Sequence, residues 1–74
     1  MVIGKDYYII MFLDNLTYHT GDGVPDTSIT MAAEFYTKEQ AQKELETLDE
    51  EYREIAAIYS VHEGRTYDLQ KLGN

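Results

Sequence analysis

Two histidines, fourteen carboxylates and no cysteine are the chain's material for metal or acid–base chemistry. His19 stands near Asp22 and Asp26, on a segment that also carries Gly21 and Gly23. A loop closing round a cation is one reading of that group. The EF-hand pattern of alternating oxygen ligands ending in glutamate is absent, however, so a solvated loop is expected and no metal site. His62 precedes Glu63 at an expected hairpin and reads as a surface residue. Ser28, Ser60 and the threonines have no histidine at a nucleophile-motif spacing. Gly21-x-Gly23 is too short for a phosphate fingerprint, and its flanking aspartates would repel phosphate. Asn15-Leu16-Thr17 matches a glycosylation acceptor, which matters only in a secreted chain. No catalytic residue, no cofactor and no enzymatic activity are expected, since so small a chain has little volume for a pocket.

The feature with most physical content is acidic. Seven carboxylates fall between Glu39 and Glu54, half of the chain's total, against Lys38, Lys43 and Arg53. From Glu46 through Asp49, Glu50, Glu51 and Glu54 the sole cation is Arg53, whereas a solvated helix face usually interleaves its signs. Carboxylates held along a rigid helix imitate a row of phosphates and suit a basic nucleic-acid channel. Glu44, Glu46, Asp49, Glu50, Glu51 and Glu54 are therefore the candidate partner-binding residues, with Asp22 and Asp26 as a second contact. The competing reading is a helix face that is merely solvated. A formal charge of −8 excludes nucleic acid and anionic membranes as direct partners and points to a basic nucleic-acid-binding protein. Seven tyrosines suit interfaces, where one end of the ring is dry and the other wet. Stacking on single-stranded bases would need a basic groove that this composition does not offer. Tyr7, Tyr36 and Tyr52 are otherwise expected to rim the core.

These carboxylates need an element to carry them. Ala41, Leu45, Leu48, Tyr52 and Ile55 recur at helical spacing, which predicts one amphipathic helix over Thr37–Ile55. Thr37 and Gln40 are placed for a capping box at its start. Asp6–Leu13 reads as a strand apolar on both faces, hence central in its sheet. The strand is expected to resume at Leu16–His19 after a bulge or turn at Asp14-Asn15. Ser28–Tyr36 alternates with period two and predicts a second strand. Ala57–His62 predicts a third, and Arg65–Leu72 a fourth edge strand or a last helical turn. The expected class is α+β: a three- or four-stranded antiparallel sheet, order β-β-α-β with a fourth strand optional, and one helix on one face.

Residues 1–74 make a single domain with a thin stability margin. Without cysteine it has no disulfide, and a reducing cytoplasm is expected. The start Met1–Asp6 lacks the basic character of a secretion signal. No run nears the ~20 apolar residues that span a bilayer. One helix covers one sheet face, so the other apolar face calls for cover by a partner subunit or by another part of the chain, and a homodimer is expected through the sheet face or an edge. A homo-oligomeric structural or regulatory module, its charge serving only solubility, is the alternative function.

The chain resembles small accessory proteins of phages and prophages. The resemblance lies in the tyrosine-rich strand Tyr7–Leu13, the phrase Ala32-Ala33-Glu34-Phe35, the helix start Thr37-Lys38-Glu39-Gln40-Ala41 and the return strand Ile58–His62. Acidic inhibitors of host defence, including anti-CRISPR proteins, are similar in size and charge. The resemblance implies a phage-encoded inhibitor acting in the host cytoplasm; it carries over no target and no residue. The excursion Asp14–Thr27 departs from the compact scheme.

Overall fold

A computed structural model describes residues 4–21 and 24–72. Strands β1 (Lys5–Phe12), β2 (Thr17–Tyr18), β3 (Ala56–Glu63) and β4 (Tyr67–Lys71) form one sheet in the order β2-β1-β3-β4. Every pairing is antiparallel, with Ile9 opposite Tyr59 and Ile10 opposite Ile58 at the centre. The optional fourth strand is present, and the α+β class holds. The doubly apolar β1 is central, as its pattern requires: Ile9 and Ile10, on opposite faces, are both fully buried. A tight turn at Asp14–Leu16 returns the chain into β2. Leu16 turns it at φ 56°, in the left-handed region that a branched side chain enters at a cost.

The stretch Ser28–Tyr36 is not a strand. Ile29–Met31 forms a single 3-10 turn, and only Phe35 bridges to the sheet, opposite Tyr8. The flank of β1 is already occupied further along by β2, leaving room there for one bridge. Ile29 and Ala32 pack on Tyr7, Ile9 and Val61 on one face, while Phe35 joins the cluster on the other. The 3-10 turn brings Ile29 and Ala32, three apart, to one face, and the extended backbone that resumes at Ala32 carries Phe35 to the other. This segment packs Ile29 and Ala32 over part of the sheet face through which a homodimer is expected, and Tyr18, Tyr59 and Leu69 stay partly exposed there.

The expected single helix is two. Half of the expected capping box forms: Thr37 Oγ1 accepts from the Gln40 backbone N–H at 3.1 Å, while Gln40 Oε1 reaches one residue past the cap to accept from the Tyr36 N–H at 3.0 Å. Helix α1 runs Lys38–Glu46 and α2 runs Glu50–Arg53. Between them the ladder tightens. Thr47 N–H bonds to the Glu44 carbonyl, Leu48 N–H to that of Leu45, and Thr47 Oγ1 donates to the Glu44 carbonyl at 2.6 Å. Asp49, in extended conformation, restarts the chain as the N-cap of α2. A continuous helix would have carried its anions toward the negative end of its dipole. The break places Asp49, Glu50 and Glu51 at a new positive end, where they stabilise. The apolar stripe survives: Ala41, Leu45, Leu48, Tyr52 and Ile55 all join Ile10, Phe12 and Ile58.

Candidate functional site

The structure divides the acidic residues into two groups. Glu46, Asp49, Glu50, Glu51 and Glu54 are exposed, and among the described residues no lysine or arginine forms an ion pair with them. Glu46 receives only a neutral bond, from Gln42 Nε2 at 3.2 Å. Two others are engaged inside the fold. Glu44 Oε2 lies 2.8 Å from His19 Nε2 and is half-buried. Asp26 Oδ1 accepts from the Ser28 N–H at 2.8 Å, while its backbone bridges Tyr18. Asp22 lies outside the described residues. The carboxylates are therefore carried on two short helices and the turn between them, not along one rod.

His19 pairs with Glu44 of α1, and among the described residues it forms no ion pair with Asp26. Its ring is buried edge-on to Phe12, centroids 6.4 Å apart, beside a cavity of about 190 Å³ that Pro25, Leu48 and Tyr52 also line. The pair to Glu44 spans twenty-five residues of sequence, so no local spacing announces it. It ties the β2 flank to α1.

A second set lies on the helix-bearing face at the opposite end of the sheet. Asp6, His62 and Asp68 form one row across β1, β3 and β4. His62 Nδ1 lies 2.6 Å from Asp6 Oδ1, and this bond, followed by the field of the same carboxylate and of Asp68, holds the imidazolium above its ordinary pKa. Gly4 packs so closely that a Cβ there would overlap the His62 ring. A cavity of about 490 Å³ lies over this row and the next, reaching Tyr8, Ser60 and Gln70, with Tyr36 at its side. Tyr36, expected at the rim of the core, is 81% exposed. Tyr52 does pack in the core, its ring 5.3 Å from Phe12. Tyr7 is buried on the far face and donates its hydroxyl to Glu63 at 3.0 Å; burial first, then that bond, push its pKa up. Among the described residues no three or more histidines and carboxylates are grouped to hold a metal ion.

The fold and these sites define a small antiparallel α+β domain whose helical segment exposes Glu46, Asp49, Glu50, Glu51 and Glu54 alongside Lys38, Lys43 and Arg53. No protein family, curated protein or solved structure matches the chain. No helix among the described residues is long and apolar enough to cross a membrane. The functional reading therefore rests on the residues themselves.

Proposed function

We propose that this is a non-enzymatic binding protein, phage-encoded and anti-CRISPR-like, that seats its acidic surface in the basic groove of a nucleic-acid-handling host protein in the host cytoplasm. One observation carries the reading. Glu46 is the last residue of α1 and Glu54 the C-cap of α2, both exposed and neither paired with a cation. An anion at an exposed helix C-terminus is unfavourable by about 0.3–1 kcal/mol, toward the low end for a helix as short as α2. Each carboxylate thus opposes the dipole of its own helix, Glu54 with partial compensation from Lys38, Arg53 and Lys71, which line one crevice with it, and a cationic partner offsets the loss that remains, chiefly at Glu46. Asp49, Glu50 and Glu51 have a local reason for their charge at the start of α2; Glu46 and Glu54 do not.

The test is the double variant Glu46→Lys/Glu54→Lys. Its melting temperature is expected to match or exceed that of the parent. Recovery of a DNA- or RNA-binding protein from host lysate is expected to fall at least tenfold. The parent's own recovery should fall steeply between 50 and 300 mM salt, as screening of a multi-charge contact requires. Capture that is indifferent to both salt and charge reversal would overturn the proposal.

A further inference from the structure

The chain has fourteen carboxylates but six lysines and arginines, and three of those six line one crevice. Helix α1 packs on β1 and β3. A helix about 10 Å wide cannot also cover the outer strand of a sheet whose strands are ~4.8 Å apart. A crevice of about 390 Å³ remains between α1, α2 and the end of β4. Leu13, Leu45, Ile58 and Leu72 give it an apolar lining, and Lys38, Arg53 and Lys71 border it, with Glu54 as the single carboxylate among the described residues. Among the described residues none of these three cations forms an ion pair, although anions outnumber cations more than two to one. Lys38 also occupies the first position of α1, where the positive end of the helix disfavours a cation. Helix stability does not explain that residue.

From this juxtaposition we infer that the crevice binds a small anionic amphiphile, a single carboxylate on a hydrocarbon body of medium length. The cations take the head and the leucines take the chain. The volume falls in the range of small-molecule sites. The net charge of −8 selects the size of the guest: a polyanion is repelled as a whole, whereas one carboxylate feels mainly the three nearby cations. The crevice shares Glu54 with the acidic surface, but octanoate binding and its loss in Lys38→Gln/Arg53→Gln are read without any protein partner, so the failure of either reading is distinguishable from that of the other.

The probe is octanoate below its micellar concentration, titrated into the full chain and followed by amide and methyl NMR shifts, with octanol and octylammonium as neutral and cationic controls. Saturable shifts are expected at Leu45, Ile58 and Leu72, with octanoate at least tenfold tighter than octanol and octylammonium not binding there. Lys38→Gln/Arg53→Gln is expected to weaken octanoate at least fivefold and leave octanol unchanged. Glu54→Gln is expected to tighten octanoate. The spectra of both variants report directly that the fold is intact, and both replaced cations are exposed. Octanol binding as tightly as octanoate, shifts centred elsewhere, an unaffected Lys38→Gln/Arg53→Gln variant, or no saturation by 5 mM octanoate would each overturn the inference.

Discussion

Replacing Glu44 with alanine separates a structural carboxylate from its exposed neighbours. The His19 side chain keeps 8% of its surface in solvent, while that of Glu44 keeps 37%. Removing the carboxylate therefore leaves the histidine, not the glutamate, as the group deprived of both water and partner. An unsatisfied buried polar group costs about 1–3 kcal/mol. Stability of ~0.05–0.15 kcal/mol per residue gives a domain of this size only about 4–11 kcal/mol in all. The loss is then a large share of the whole, and at about 4–8 °C per kcal/mol it lowers the melting temperature by roughly 5–20 °C. Glu46→Ala is the internal control, because Glu46 is exposed and bonded only to Gln42, and its effect is expected within about 0.5 kcal/mol. Glu44→Gln retains a group that pairs with either imidazole tautomer, so it is expected to recover most of the loss. Urea and thermal unfolding followed by circular dichroism read all three variants. Equal effects of Glu44→Ala and Glu46→Ala would refute the argument that His19 depends on Glu44.

Other consequences are simpler. Leu16→Asn, at φ 56° and 64% exposed, relieves a left-handed leucine and is expected to stabilise by about 0.5–1 kcal/mol, read as a higher melting temperature. Thr37→Ala removes the α1 cap and is expected to destabilise by about 1 kcal/mol, read by urea unfolding. Because the folded pKa of His62 is raised, its bond to Asp6 contributes stability that is full below about pH 6.5, the unfolded value, and is lost as the pH rises through the folded value. NMR titration should place the His62 midpoint above 6.5, and Asp6→Asn should lower it. Gly4→Ala should displace the His62 ring and lower the same midpoint, by weakening its approach to Asp6.

The sequence discloses burial more faithfully than it discloses backbone. Every member of the stripe from Ala41 to Ile55 packs where its spacing says, and β1 is central because both its faces are apolar. The strand expected at Ser28–Tyr36 fails where the stripe succeeds. Periodicity names which side chains face a surface, but Ile29 and Ala32, three apart, pack on one face of the sheet and Phe35, three further on, on the other, a split that neither a period of two nor a period of three describes. That split is decided by distant neighbours: β2 on the flank of β1, and a bare face holding Tyr7, Ile9 and Val61. The pairs His19–Glu44 and Asp6–His62 are likewise tertiary, and only the register of the sheet brings the second together.

The break at Thr47–Asp49 was legible in the residues themselves. Asp49 followed by Glu50 and Glu51 is the signature of a helix beginning, an N-cap with anions in the first turn. An apolar stripe running straight through masks that signature, because Leu45 before the break, Leu48 within it and Tyr52 and Ile55 after it reach the same cluster without a continuous ladder. The distinction bears on function. A single rod would make all six carboxylates equivalent parts of one mimic. With two helices, Glu44 belongs to the fold and Asp49, Glu50 and Glu51 belong to the start of α2. Glu46 and Glu54 then stand at the two negative ends with no ion pair among the described residues, and Glu54 alone shares a crevice with cations. Charge reversal should therefore act on partner binding most strongly at the two positions where it harms the free protein least.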